Sequence, residues 1–301
     1  MLVEKFYSNG KLLLTGEYLV LDGATSLALP TKYGQDLTVE KITQPFLIWE
    51  SFDEIGSNWF HSKFELPTLN SDSHDEIVLT LINILKEAQN LNPKFLADGD
   101  GFRVRTKLSF PKNWGLGTSS TLINNIAGWA KVDAFELLKN SFGGSGYDIA
   151  CAQNNSPILY RLIKSKPSIQ KVNFNPHFKN QLYFVHLNKK QISREGIKNY
   201  REFIKNPLRF TEEISDLSRQ LLNCKNLSDF DKIIAGHEKI ISSIIQKKPI
   251  QEELFHDYFG QTKSLGAWGG DFILATGNDD TTKYFKNKGF ETVVSYRDMV
   301  L

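Results

Sequence analysis

The stretch WGLGTSS, residues 114–120, has the composition of a phosphate-binding loop. Two glycines one residue apart are followed by three hydroxyl residues and then by an apolar run with helical spacing. Glycines let the backbone approach an anion closely, and a helix N-terminus offers free backbone N–H groups and the positive end of its dipole. The alternative interpretation is a turn before a helix that Ser or Thr caps.

Two familiar phosphate loops can be compared with this stretch. A P-loop needs a lysine directly after its second glycine, but Thr118 follows Gly117. The dinucleotide-binding fingerprint needs a third glycine where the chain has Ser120. The residues therefore favour a helix N-terminus that is rich in small hydroxyl side chains. It is neither a P-loop nor a dinucleotide-binding loop.

The composition predicts a cytoplasmic globular protein without nucleic-acid or membrane partners. The 301 residues carry a net charge of +2, with 41% hydrophobic and 23% charged residues, so no charge excess attracts polyanions. Two cysteines lack metal-site spacing, which fits a reducing compartment. Glu4 and Lys5 interrupt the region where an export signal would need its apolar core, and no apolar run reaches membrane-spanning length.

Hydrophobic periodicity predicts an α+β protein in which strands come in runs rather than in strict alternation with helices. We expect a helix over residues 73–93 that begins with a Ser73–Glu76 capping box, and a helix after the glycine stretch. From residue 193 the pattern becomes mainly helical, which places a domain boundary near residue 180. The expected strands are KLLLTGEYLVLDG (11–23), SLALP, DLTVEKI, FLIWES, WFHSKFEL, GFRVRTKLSFP, PILYRLI, QLYFVHLN, DFILA and FETVVSY.

Three further glycine-rich segments accompany WGLGTSS in a fixed order: SNGKLLLTGEYLVL (8–21), GGSGYDIA (143–150) and KSLGAWGGDFILA (263–275). Together the four segments resemble the motifs of the galactokinase, homoserine kinase, mevalonate kinase and phosphomevalonate kinase (GHMP) superfamily. Asn9 stands where the opening motif of that superfamily usually has proline. Within the superfamily, TGEYLVLDG, GSGYDIA and GAWGGD are most similar to phosphomevalonate kinases.

The resemblance implies a two-domain GHMP kinase fold. Its N-terminal ATP-binding domain, over residues 1–180, would be ribosomal protein S5 domain 2-like, and its C-terminal domain, over residues 181–301, would be ferredoxin-like. It also implies an ATP- and Mg²⁺-dependent kinase that transfers the γ-phosphoryl group to a hydroxyl or phosphate of a mevalonate-like acceptor, in isoprenoid biosynthesis. The alternatives are another small-molecule acceptor such as a sugar, or a non-catalytic nucleotide-binding member; the protein would be a monomer or homodimer.

The resemblance assigns chemistry to particular residues. Asp148 matches the catalytic aspartate, which would accept the proton of the acceptor hydroxyl, and Lys11 would keep that carboxylate ionised and neutralise phosphoryl charge. Ser119 and Glu136 are the candidate Mg²⁺ ligands, although a solvated carboxylate is the alternative for Glu136. The candidate ATP-phosphate ligands are Gly115, Leu116, Gly117, Thr118, Ser119 and Ser120. The candidate acceptor-binding residues are Glu17, Tyr18, Ser145, Gly146, Tyr147, Gly266, Gly269 and Gly270.

Some features depart from the superfamily pattern. The segment from Ser119 to Asp148 is shorter than usual, and Trp268 stands where glycine is usual, so that its indole would either narrow the acceptor pocket or remove the loop from contact with a ligand. Lys189, Lys190 and Arg194 are candidates for binding a phosphorylated acceptor, with a solvated charge run as the alternative.

Overall fold

The computed structural model describes residues 3–71, 73–189 and 193–301. Its strands are β1 (Val3–Leu13), β2 (Ser26–Ile42), β3 (Phe46–Phe52), β4 (Asn58–Glu65), β5 (Gly101–Leu108), β6 (Ile158–Ile163), β7 (Lys166–Lys171), β8 (Leu182–His186), β9 (Thr262–Ser264), β10 (Phe272–Thr276) and β11 (Val293–Ser295). Its α-helices are α1 (Glu76–Leu91), α2 (Thr118–Ala130), α3 (Ala134–Ser141), α4 (Tyr147–Ala152), α5 (Ser193–Phe203), α6 (Pro207–Leu222), α7 (Leu227–Ile245), α8 (Ile250–Glu253), α9 (Asp280–Asn287) and α10 (Tyr296–Met299). Short 3-10 turns cover Leu19–Asp22 and Lys179–Gln181.

The chain forms two compact units, and neither is continuous in sequence. The first unit contains Met1–Gly10, Tyr33–Lys112 and Leu116–Gln153, and the second contains Lys11–Lys32, Asn113–Gly115 and Asn154–Leu301. The sequence predicts a single cut near residue 180, and that division into two kinase domains stays a prediction.

The first unit is a sheet covered on one face by helices. Its strands lie in the order β4-β3-β5-β2, and the β3–β5 pair is parallel whereas β3–β4 and β2–β5 are antiparallel. Helices α1 to α4 contact one another, and one apolar cluster joins them to the sheet. Large side chains from both layers form this cluster, including Trp49, Phe64, Leu85 and Ile126, all nearly inaccessible to solvent. This packing holds the N-termini of α2 and α4 on a rigid layer.

The second unit has a four-stranded antiparallel sheet in the order β11-β8-β10-β9. In addition, the first residues of β2 pair with β6, which pairs with β7. Helices α5, α6 and α7 pack around a separate apolar cluster that includes Tyr18, Tyr200 and Trp268. The mixed α+β class predicted from the sequence is therefore confirmed. In the described ranges, no helix has both the length and the apolar character needed to cross a membrane.

The structure corrects the predicted strand over residues 11–23. Strand β1 ends at Leu13, and the chain then turns through Gly16 and Tyr18, which have φ angles of 91° and 64°. A 3-10 turn follows at Leu19–Asp22. Positive φ angles are incompatible with an extended strand, so the second half of this apolar run folds into a buried turn instead.

The predicted helix over 73–93 is present, but its first turn differs from the expected capping box. Asp75 is the N-cap, and its carboxylate accepts a hydrogen bond of 2.7 Å from the backbone N–H of Ile77. Ser73 instead accepts a hydrogen bond from the backbone N–H of Asp75. The helix therefore begins at Glu76, directly after its N-cap Asp75. The sequence pattern does not predict strand β7, because its residues show no alternation of apolar and polar side chains. In the structure all six side chains of this strand are exposed.

Candidate functional site

The second half of WGLGTSS forms the N-terminus of α2 in the first unit. Gly117, the N-cap, has a left-handed φ of 96°, and no side chain caps the helix. The first helical hydrogen bond runs from the backbone N–H of Thr121 to the carbonyl of Gly117. The backbone N–H groups of the three preceding residues have no acceptor within the helix, which is the arrangement that binds a phosphate.

The hydroxyl groups of this turn divide into two sets. Ser120 is buried, and its hydroxyl donates a hydrogen bond to the carbonyl of Gly117. Thr121 is fully buried; its hydroxyl lies 2.7 Å from Oε1 of Gln35 and 3.0 Å from the carbonyl of Gly117, and it donates its one proton to this pair of acceptors. These two hydroxyls stabilise the turn. Ser119 is exposed and Thr118 half-exposed, so their side chains lie on the accessible side. The predicted ligand role of Ser120 is therefore limited to its backbone N–H group.

Asp148 lies in the first turn of α4, on a helix that packs against α2 within the first unit. Gly146, the N-cap of α4, has a φ of 83°, and no side chain caps this helix either. The Asp148 side chain is half-buried, and its carboxylate accepts a hydrogen bond of 3.0 Å from the backbone N–H of Ile149. Ser145 and Tyr147 flank this turn and are half-buried. One unit thus carries both an uncapped helix N-terminus and the candidate general base.

The first half of WGLGTSS is held within the second unit by contacts on several sides. The carbonyl of Asn113 is 3.0 Å from Nε2 of His186. Trp114 packs edge-on against Phe272, with ring centroids 5.3 Å apart, so its indole has a packing role. The Asp271 carboxylate lies against Gly115 so closely that a Cβ on Gly115 would overlap it. The loop therefore requires glycine at this position.

Lys11 contacts the phosphate loop directly. Its Nζ donates a hydrogen bond of 2.8 Å to the carbonyl of Gly115, and both residues belong to the second unit. A small cavity of about 10 Å³, enough for about one water, lies beside this contact. The cavity is lined by residues from three of the four glycine segments, among them Lys11, Gly115, Gly266 and Asp271. The structure thus brings together two predicted site residues that are far apart in sequence.

The C-terminal glycine segment forms a turn before β10. Gly266 and Gly269 have φ angles of 61° and 95°, whereas Gly270 has no positive φ. Trp268 is 3% exposed and packs in the cluster around α5, α6 and α7, and its backbone N–H donates to the Tyr18 hydroxyl. Its indole is thus a core side chain. Tyr18 is 8% exposed and stacks on Tyr200, so packing accounts for its position.

Glu17 requires a correction, because a buried carboxylate cannot line an acceptor pocket. Its side chain is 0% exposed, and Oε1 accepts a hydrogen bond from Nζ of Lys263, which is equally buried. The other oxygen, Oε2, lies 3.3 Å from Nε2 of His237. Burial raises the pKa of Glu17 to about 7, although Lys263 opposes the shift. Burial also holds the pKa of His237 well below its usual value, so the imidazole is neutral and this contact is not an ion pair.

The candidate Mg²⁺ ligands are not part of an acidic cluster. Glu136 is an exposed residue in the first turn of α3, where its backbone N–H bonds to the cap residue Asp133. Among the described residues, no group of three or more His, Cys, Asp and Glu side chains could hold a metal ion. Mg²⁺ usually keeps several waters and binds to one or two protein groups and the phosphates of its nucleotide, so this finding leaves Ser119 and Glu136 as predictions.

Lys190 and the Arg194 side chain lie outside the described residues. The carbonyl of Lys189 accepts a hydrogen bond from the backbone N–H of Asp271. The sequence pattern does not single out Asp271 or Lys263 as site residues. Asp271 and Lys263 both belong to the C-terminal glycine segment, and Lys263 is its first residue. Lysine side chains are usually solvated, so the sequence alone predicts an exposed side chain for Lys263. Only the fold shows that it is buried.

Three solved structures illustrate what this fold is similar to. The mevalonate kinase of Methanococcus jannaschii matches with a TM-score of 0.71 and 15% identity, over 95% of this chain and 94% of that one. The Streptococcus pneumoniae phosphomevalonate kinase, in complex with phosphomevalonate and AMPPNP, matches with a TM-score of 0.71 and 16% identity, over 98% and 100%. The Lactococcus lactis galactokinase, complexed with galactose, matches with a TM-score of 0.67 and 13% identity, over 97% and 92%.

No protein-family model and no curated protein sequence matches the chain. The similarity is therefore one of fold, and it extends over nearly the whole length of each compared structure. The compared proteins are all kinases of the GHMP superfamily, as the sequence motifs predict. The chain has the GHMP kinase fold.

Proposed function

We propose that the protein is an ATP-dependent phosphotransferase acting on a small-molecule acceptor. One observation carries the proposal: in the first unit, the uncapped N-terminus of α2 and the turn that bears Asp148 lie on helices packed against each other. The first feature suits a phosphate and the second supplies a base, and phosphoryl transfer requires both kinds of group.

The phosphates of ATP fit the α2 turn because its backbone N–H groups lack partners within the helix and its entry residue, Gly117, is left-handed. The exposed Ser119 hydroxyl is the side chain of this turn best placed to meet a phosphate or the metal ion that accompanies it. Bound Mg²⁺ would neutralise the negative charge of the phosphates. Ser119 and Glu136 are the residues that would hold the metal ion. Lys11 adds a positive charge at the carbonyl of Gly115, next to this turn in the sequence.

Asp148 would accept the proton of the acceptor hydroxyl as that oxygen attacks the γ-phosphoryl group. A general base of this kind contributes about 10²- to 10⁴-fold to the rate. The Asp148 carboxylate accepts a hydrogen bond from the backbone N–H of Ile149, and a general base must likewise present an acceptor oxygen.

For the acceptor we propose mevalonate or phosphomevalonate, which would place the enzyme in isoprenoid biosynthesis. The Glu-Tyr pair of the first motif and the Gly-Gly-Asp of the last motif favour this class. The Streptococcus pneumoniae structure of similar fold is a complex with phosphomevalonate. A sugar is the alternative acceptor, since the Lactococcus lactis galactokinase, complexed with galactose, has a similar fold.

The test is coupled ADP release with Mg-ATP and a panel of mevalonate, phosphomevalonate, galactose and homoserine. We expect turnover with one of the first two, and Asp148→Asn should lower kcat by about 10²-fold or more while the affinity for ATP stays within about threefold. Asp98→Asn, at an exposed site in the same unit, is the matched control and should keep full activity.

Two outcomes would contradict the proposal. Measurable Mg-ATP binding without turnover on any acceptor would favour a non-catalytic nucleotide-binding protein. Full activity of Asp148→Asn would remove Asp148 from the role of base. Turnover with galactose alone would support the phosphotransferase activity but show that the acceptor is a sugar and not mevalonate or phosphomevalonate.

A further inference from the structure

A group of buried ionisable side chains in the second unit is not explained by ATP or acceptor binding. Lys263 of β9 donates hydrogen bonds to the Glu17 carboxylate and to the carbonyl of Ser264. Glu238 of α7 is also buried and accepts hydrogen bonds from the backbone N–H and the hydroxyl of Ser264. With His237, these form the buried cluster Glu17, His237, Glu238 and Lys263, each no more than 1% exposed.

The charges of this cluster do not balance when every acid is ionised. Glu17 and Glu238 would contribute two negative charges, and Lys263 supplies one positive charge, whereas His237 is neutral. A net charge in the protein interior is costly, and binding one proton removes it. Within the described part of the chain, the charged groups that act on Glu17 are Lys263 from β9, which favours its ionised form, and Glu238 from α7, which opposes it.

The geometry indicates which oxygen would hold that proton. Oε1 of Glu17 is occupied by Lys263, whereas Oε2 has no hydrogen-bond partner among the described residues. Oε2 faces Nε2 of His237, which already accepts a hydrogen bond of 2.9 Å from the backbone N–H of Gly16. The single lone pair of that nitrogen is therefore already engaged, so an ionised Oε2 has no donor there, and protonation of Oε2 removes its charge. The raised pKa of Glu17 agrees with this placement.

The cluster joins the two segments that surround Lys11. Leu12, Leu13, Leu265 and Gly266 line the small cavity at the Lys11–Gly115 contact. Glu17 follows the first pair of residues and Lys263 precedes the second, so their hydrogen bond ties both segments together. Between them the chain is tightly constrained, since a Cβ on Gly16 would overlap the Ser26 side chain and Tyr18 has a positive φ.

We propose that Glu17 and Lys263 are positioning residues that fix the Lys11 segment to the C-terminal glycine segment, and that the pair fits best when Oε2 of Glu17 holds one proton. This inference rests on the proposed phosphotransferase function for its kinetic consequence. Ionisation of Glu17 leaves excess negative charge in the core, which loosens the Gly16–Tyr18 turn and displaces Lys11. Activity should then decline as Glu17 ionises, independently of Asp148.

The first experiment needs no turnover. Infrared difference spectra of the protein should show the band of a protonated, buried carboxyl group at about pH 5.5 that disappears as the pH rises through about 7. Glu17→Gln should lack this band, because its amide reproduces the protonated acid without titrating. An identical pH-dependent band in Glu17→Gln, or no such band in the wild type, would overturn the proposal.

The second experiment compares the pH dependence of kcat. The ratio of kcat for Glu17→Gln to that of the wild type should rise as the pH is raised through about 7, because only the wild type ionises there. Lys263→Met should lower kcat about tenfold or more, with a smaller change in KM for ATP. Lys232→Met, the same substitution at a 74% exposed site on α7, should leave both unchanged.

The outcomes separate this inference from the proposed function. A constant ratio across the pH range would show that Glu17 is merely structural, even if Lys263→Met fails to fold. Absence of turnover in the wild type would overturn the proposed function and the positioning role with it. The infrared result would still decide whether the cluster holds a proton.

Discussion

Gly115 is the residue of the phosphate loop with the least freedom to change. Its φ of 66° is strained for other residues, and the Asp271 carboxylate occupies the space that a Cβ would need. Asp271 itself has a φ of 52°, and its backbone is held by Leu187 and Lys189. The turn before β10 therefore shapes a loop more than 150 positions earlier in the chain.

Gly115→Ala should lower the free energy of unfolding by roughly 2–4 kcal/mol, since the strain of a positive φ and the overlap with Asp271 add. Gly143→Ala is the matched control, because Gly143 also has a positive φ but open space around it, and it should cost only about 1–2 kcal/mol. Urea unfolding of both variants measures the difference. Equal losses would show that Asp271 does not press on the loop, and Gly115→Ala combined with Asp271→Ala should recover part of the loss.

At the scale of single elements, the N-terminus of α1 shows how a cap fixes a boundary. Asp75→Ala should destabilise the protein by about 1 kcal/mol because the backbone N–H of Ile77 loses its acceptor. Ser73→Ala should cost less, since the Ser73 hydroxyl bonds to the backbone N–H of Asp75, which precedes the helix. A larger loss for Ser73→Ala in chemical denaturation would contradict Asp75 as the cap and favour the capping box expected from the sequence.

The C-terminal glycine turn is anchored by the side chain of Trp268. The indole is buried between helices, and its Nε1 has no hydrogen-bond partner among the described residues. Trp268→Ala should therefore cost about 3–5 kcal/mol through the cavity that it leaves. Trp268→Phe should destabilise the protein distinctly less, because it removes less side-chain volume than Trp268→Ala does, and neither variant loses a hydrogen bond of the indole. Similar thermal midpoints for the wild type and Trp268→Ala would place the indole outside the core.

At the scale of the whole molecule, Glu17 makes stability depend on pH. Its pKa of about 7 in the folded protein exceeds the usual 4.5, so the folded state binds more protons than the unfolded state between those values. The stabilisation is complete below about pH 4.5 and is lost as the pH rises through about 7, by roughly 3 kcal/mol at most. The lowered pKa of His237 acts in the opposite sense. Its contribution to the free energy of unfolding is present above about pH 6.5 and is lost as the pH falls through the lowered pKa of the folded state.

Comparison with Glu17→Gln isolates the first effect, because both proteins contain His237. The thermal midpoint of the wild type should fall relative to that of Glu17→Gln between about pH 5 and pH 8. Parallel curves over this range would mean that Glu17 does not titrate with a raised pKa. Scanning calorimetry at several pH values supplies the measurement.

The sequence by itself determined the α+β class, most strands and helices, and the order of four glycine segments. It did so because the 2.0 and 3.6 periods of apolar residues, and glycines before helices, are local properties. Those segments also predicted the GHMP kinase fold, and the loop at Gly117 has the left-handed entry that such a loop needs.

Only the tertiary structure decided the burial and the partners of particular side chains. Glu17 and Lys263 are 246 positions apart, and no local pattern distinguishes a buried hydrogen-bonded pair from two solvated side chains. The same holds for the burial of the Trp268 indole and for the approach of Asp271 to Gly115. Periodicity records which face of an element is apolar, whereas desolvation and charge pairing depend on which distant segments the fold brings together.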